Sequence, residues 1–243
     1  MKKWLSENQS PLLVFEKLQV KKAGFDLEKN PKLLNWFNYV QQFRTKSGED
    51  FPDEKMYELV AKSTSEAERL ALIRSLKKFP ELEDLSNGIQ KGMFTKWVES
   101  NAHPPVVFDK LGAQMVNGKL AGTPAVKEWM SYTKMYRATW ETQFRDEDIV
   151  TFLLTKTTSD TDIINVVLGF KNEQLEKALF AKWISRHYTP ERVKNIVSSS
   201  TAPPGEQDRL IQHFQAMVNT VDHLTRRQWA EVIPRLKHSN SQT

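Results

Sequence analysis

The sequence contains no cysteine. That absence excludes a disulfide framework, a thiolate metal site and a cysteine nucleophile together, and leaves packing to supply stability. Long apolar runs are missing too. The longest, Ile149-Val150 and, after Thr151, Phe152-Leu153-Leu154, is far short of the roughly 20 residues of a membrane helix. The opening Met1-Lys2-Lys3-Trp4 leads into no apolar core with a small-residue cleavage site, so no secretory signal is visible. Glycine is sparse, nine residues scattered over 243, and matches neither the phosphate-loop nor the dinucleotide pattern; Gly-x-Ser-x-Gly is also absent. His103, His187, His213, His223 and His238 form no His-Glu-x-x-His pair and read as isolated core or surface residues. No catalytic residue, metal site, cofactor or small-molecule substrate is therefore expected.

The composition that remains is globular, with 39% hydrophobic and 27% charged residues, and the length suggests one or two domains. A net charge of +5 raises a nucleic-acid reading, which needs the charge clustered on one face or in a long run. The runs are short: Lys2-Lys3, Lys21-Lys22, Lys77-Lys78 and Arg226-Arg227. Solvated surface is the preferred reading, with an RNA- or chromatin-binding module kept as the alternative.

A repeat organises the chain. Residues 3–44 and 96–137 align without a gap at an offset of 93, with 13 of 42 positions identical. The matches include Trp4/Trp97, Pro11/Pro104, Phe15/Phe108, Pro31/Pro124, Trp36/Trp129, Tyr39/Tyr132 and Arg44/Arg137. A worn third copy places Phe180-Ala-Lys-Trp183 on Phe94-Thr-Lys-Trp97 at an offset of 86, and Phe214 and Met217 on Trp36 and Tyr39. The intervening segments correspond as well, Phe51-Pro-Asp53-Glu54 with Phe144-Arg-Asp146-Glu147. The acidic pairs stand beside helix starts, where carboxylates complement the helix dipole, so a structural role outweighs acid–base catalysis.

Each unit reads as helices. Ser10-Pro11, Asn30-Pro31, Thr123-Pro124 and Thr189-Pro190 put a capping side chain before a proline, and Ser65-Glu-Ala-Glu68 has capping-box spacing. Leu33, Trp36, Phe37, Val40 and Phe43 follow the three-and-four rhythm of an amphipathic helix, as do Leu70, Leu72, Ile73, Leu76 and Phe79, predicting a helix over 66–79. The fold class is all-α. Trp4, Phe15, Trp36, Tyr39, Trp97, Phe108, Trp129, Tyr132, Trp183 and Phe214 are the expected structural core rather than a ligand cage.

The pairing of Trp4 with Tyr39 and of Trp97 with Tyr132, Val-Phe-x-Lys-Leu at 14–18 and 107–111, and the leucine-rich segments between them resemble the WY and LWY tandem units of RXLR effectors. Those are secreted virulence proteins of Phytophthora and related oomycete plant pathogens. The resemblance covers nearly the whole chain: a WY unit at 1–47, an LWY unit at 48–140, and a divergent LWY unit with a C-terminal tail at 141–243. It implies tandem helical bundles stacked into an elongated rod. The family's Arg-x-Leu-Arg motif and signal peptide are not seen, and the chain is read as the effector region alone.

The resemblance further implies a non-enzymatic protein that is secreted by the pathogen and then acts in the host cell cytoplasm, or its nucleus, by binding plant proteins; no membrane partner is expected. Chains that begin with a WY then an LWY unit resemble a subset that captures the scaffold subunit of host protein phosphatase 2A in place of a regulatory subunit. Another host protein, such as an autophagy or ubiquitin-pathway component, stays open. Trp229-Ala-Glu-Val232 has the aromatic-to-aliphatic spacing of autophagy-adaptor peptides, yet the repeat gives Trp229 a core position where a leucine segment begins, interrupted at Pro234. Arg69, Arg74, Lys77 and Lys78, on the polar face of the helix at 66–79, are candidate partner contacts, set against a merely solvated face.

Overall fold

The computed structural model describes residues 1–48, 51–115, 119–120, 122–141 and 143–239, with side chains as far as Val221 apart from Ala23. The described elements are helical, and they pack as two compact groups, 1–102 and 103–243. The repeat divisions at 47/48 and 140/141 are divisions of sequence register, which this grouping neither uses nor replaces.

The first group comprises α1 (Lys2–Ser6), α2 (Pro11–Lys17), α3 (Val20–Ala23), α4 (Pro31–Ser47), α5 (Asp53–Ala61), α6 (Glu66–Leu76), a 3₁₀ turn (Pro80–Leu82) and α7 (Glu83–Glu99). α1, α2 and α3 pack on α4, and α5 and α6 pack on α7. The second group comprises α8 (Pro104–Lys110), α9 (Pro124–Thr139), α10 (Asp146–Lys156), α11 (Asp160–Gly169), α12 (Glu173–Ser185), α13 (Pro190–Ser198) and α14 (Pro204–Ser239). There α8 packs on α9, α10 and α11 on α12, and α13 on α14.

The sequence signals for helix starts are realised as caps. Ser10, Asn30, Thr123 and Thr189 each accept a backbone N–H of the first turn, and each is followed by proline at the first helical position. At α6 the Ser65 hydroxyl accepts from Glu68 N while Glu68 accepts from Ser65 N at 2.7 Å, a reciprocal box. The backbone repeats even where side chains differ: Asn8, Asn101 and His187, at intervals of 93 and 86, follow helix ends with φ of 52°, 53° and 59°, and Gln19 and Gly112 adopt φ of 53° and 61°.

Two elements differ from the sequence reading. α6 stops at Leu76 rather than 79, because Phe79 precedes Pro80 and takes an extended conformation, φ −111° and ψ 105°. α14 runs on through Pro234 to Ser239 without the expected new start at Trp229. Where α4 ends at Gly48, the third copy has Arg226 and no glycine to stop the helix. The side chains of His223, Arg226, Arg227, Trp229, Val232 and His238, those of the adaptor-like motif among them, lie outside the described side chains.

Packing inside the copies is conserved to the atom. Trp36 is fully buried, meets Phe15 edge-on at 5.0 Å, and donates from its indole to Pro11 O at 2.8 Å. Trp129 repeats this with Phe108 at 5.3 Å and Pro104 O at 2.8 Å. The Tyr39 hydroxyl donates to Gln9 O at 2.5 Å, and burial raises the hydroxyl pKa of both Tyr39 and Tyr132. Arg44 and Arg137, identical across the repeat, hold Asp53 and Asp146 at 2.9 and 2.7 Å, so the acidic pairs begin α5 and α10 as ion-paired helix starts. In the third copy Phe214 packs edge-on against Phe180 at 5.5 Å and Trp183 stacks on Tyr188 at 5.8 Å. Phe15, Trp97, Phe108, Tyr132 and Trp183 are buried; Trp4 is only half-buried and offers its carbonyl, rather than a core ring, to Tyr39.

Candidate functional site

The basic residues singled out around α6 do not form one outward-facing cluster. Arg69 is half-buried and turned back on its own neighbourhood: Nη1 donates to Thr64 O at 2.7 Å and to Ala61 O at 3.2 Å, and the guanidinium sits 5.9 Å from the Tyr57 ring centroid. It closes the α5–α6 turn. Lys77, now the C-cap of α6, reaches across to Gln90 Oε1 at 2.9 Å, and Lys78 pairs with Glu28 at 3.1 Å. Arg74 is exposed on α6. Of the four, Arg69 is the one most committed to internal structure.

A different surface emerges from comparing the two full copies. In the first, α4 packs against the segment between α6 and α7, and carries Leu34, Phe37, Val40 and Gln41 at three- and four-residue spacing. That segment is the 3₁₀ turn, which seats Leu82 with no exposure while Gln41 Nε2 donates to Glu81 O at 2.6 Å. Phe37 and Val40 are fully buried. In the second copy the corresponding segment is seven residues shorter, as the change of offset from 93 to 86 requires. Only Phe170, Lys171 and Asn172 join α11 to α12; Lys171 adopts φ 52° and Asn172 caps α12 by accepting from Gln174 N at 2.9 Å. Nothing corresponds to the 3₁₀ turn. A cleft of about 960 Å³ lies in its place, between one face of α9 and the α11–α12 connection.

The side chains along this cleft follow from substitution within the repeat. Leu34, Phe37, Val40 and Gln41 become Lys127, Met130, Thr133 and Lys134, all lining it, with Arg137, Phe170 and Lys171. Their spacing of three and four residues puts them on a single stripe of α9. Arg137 is paired with Asp146, whereas among the described residues no ion pair engages Lys127, Lys134 or Lys171. Glu141 and Glu173 also line the rim, and Glu173 is held by Lys177 at 2.7 Å, which lowers its pKa. At the floor Thr133 is 1% exposed and its hydroxyl has no hydrogen-bond partner, where the first copy has valine. The cleft is thus basic at its rim and apolar at Met130 and Phe170, and one of its lining residues, Thr133, holds a buried hydroxyl without a partner. These residues escaped the sequence reading, although the shortened offset signalled the missing segment.

Among the described residues no three His, Asp or Glu side chains converge to hold a metal ion, and no helix is long and apolar enough to cross a membrane.

Comparison with known proteins matches residues 42–91 to the RXLR phytopathogen effector protein WY-domain and residues 1–40 to the WY-domain of effector PexRD54. These two stretches of the chain are similar to WY-domains of RXLR effectors. It is similar to the RxLR effector protein PexRD18 of Phytophthora infestans, 28% identical over 81% of this chain and 46% of that one. It is similar also to RxLR effector protein 54 of the same organism, 24% identical over 81% and 58%. The crystal structure of PcRxLR12 aligns with 17% identity over 90% of this chain and 55% of that one, at a TM-score of 0.48. The chain spans about half the length of the curated relatives it matches.

Proposed function

We propose that this chain is a virulence effector that works inside the plant host cell as a protein-binding module, and that its partner is the scaffold subunit of protein phosphatase 2A, taken in place of a regulatory subunit. The observation that supports the binding role is that the two full copies keep one side of the same helix and change another. The indole-to-proline-carbonyl bond is 2.8 Å in both, at Trp36–Pro11 and Trp129–Pro104, while another stripe of the same helix changes from Leu34, Phe37 and Gln41 to Lys127, Met130 and Lys134. A scaffold held constant beneath altered faces suits recognition, and function resides in sites carried on the fold rather than in the fold itself. The order of a WY unit followed by an LWY unit is what favours the phosphatase scaffold. The cysteine-free sequence fits work in a reducing cytosol, and no catalytic role is proposed.

Gel filtration of the purified chain mixed with plant phosphatase scaffold tests the partner. Co-elution at micromolar concentration is expected, and separate elution at that concentration removes the phosphatase from the reading.

A further inference from the structure

The second copy has a cleft where the first has a plug, and the plug states what such a face accepts. Residues 79–86, Phe-Pro-Glu-Leu-Glu-Asp-Leu-Ser, run from the end of α6 across α4 into α7. Leu82 and Leu85 are buried at 0 and 2% exposure and the Glu81 carbonyl is bonded to Gln41. The segment therefore combines leucine anchors with three carboxylates, Glu81, Glu83 and Asp84, within four residues.

The cleft on α9 takes the corresponding position in the repeat with different chemistry. Gln41 has become Lys134 and Leu34 has become Lys127, so two ammonium groups stand where the first copy has an amide and an alkyl chain. Met130 replaces Phe37, a flexible side chain suited to repacking around a guest. Thr133 is 1% exposed and its hydroxyl has no partner, a cost that a donor or acceptor brought to it would remove. Positive rim, adaptable apolar floor and an unmet hydroxyl together fit an acidic segment with a leucine anchor.

We propose that the cleft between α9 and the α11–α12 connection is a docking site for an acidic, leucine-anchored turn of a partner protein, a turn of the kind that residues 80–82 lay beside α4. Lys134 and Lys127 receive its carboxylates, Met130 and Phe170 receive its leucine, and Thr133 bonds its backbone. The site rests on the reading of this chain as a protein-binding module but not on which protein it binds.

The test uses the whole chain, isotope-labelled, and a synthetic peptide with the sequence of residues 79–86 as the probe. Amide shifts are expected at Lys127, Met130, Thr133, Lys134 and Lys171, weakening as salt is raised because the rim contacts are screened. Lys134→Glu, an exposed position, is expected to weaken binding at least tenfold without moving the thermal midpoint. A peptide with its three carboxylates replaced by lysine is expected not to bind. No shifts at millimolar peptide, shifts centred elsewhere, or equal binding of the charge-reversed peptide would each overturn the proposal. A chain that co-elutes with the phosphatase scaffold yet ignores the peptide would sink the cleft alone; one that takes the peptide but not the scaffold would sink the scaffold alone.

Discussion

Single residues carry the recurrent interior, and the sequence displayed most of them because tryptophan is rare and its spacing is hard to miss. Trp36 and Trp129 each satisfy the carbonyl of a buried proline, Pro11 or Pro104. Trp36→Phe removes the indole donor to the Pro11 carbonyl and shrinks a fully buried ring, so a loss of about 1–3 kcal/mol is expected in urea unfolding. Thr133 is the reverse case. Its hydroxyl is buried with nothing to bond, and Thr133→Val, the residue of the first copy, is expected to stabilise the free chain by about 1 kcal/mol in the same measurement. Arg69 illustrates what a pattern of charges hides. Position on a helix marks it as exposed, but a long side chain is free to fold back on nearby carbonyls, and those of Ala61 and Thr64 lie within reach only once the α5–α6 turn exists.

Helices and their joints were legible where local chemistry decides them. Capping residues before proline, and the Ser65–Glu68 box, fix helix starts through bonds within four residues, so the chain announces them. The box also sets a titration: the Ser65 backbone N–H and then its hydroxyl hold the Glu68 carboxyl below its ordinary range. A depressed folded pKa gives stability that is present above the unfolded glutamate value and lost as pH falls through the folded one. Ser65→Ala is therefore expected to raise the Glu68 midpoint, read by carbon-detected NMR titration. Interhelix contacts are less visible in sequence. α5 and α7 approach so closely that a Cβ on Gly92 would lie 2.5 Å from Tyr57 Cγ, and one on Gly88 would meet the Asp53 carboxylate. Gly92→Ala is expected to cost on the order of 1–3 kcal/mol in thermal unfolding, because a buried tyrosine must move.

Over the whole molecule the organisation is repetition with one shortening. The periodicity of large residues gave away the copies, but the cleft arises from residues that are missing, and an absence has no hydrophobic pattern of its own. Only the altered offset before Trp183 marked it. Replacing Phe170–Asn172 with the ten residues of 77–86 restores the length of the first copy; helical circular dichroism is expected to persist while binding of the acidic peptide disappears. One more property follows from the left-handed residues at 8, 101 and 187. Their torsion signs act as graduations on a ruler. The two spacings between them can be read from backbone chemical shifts with every side chain ignored, and the same reading would place a distant relative in phase after its tryptophans had been lost.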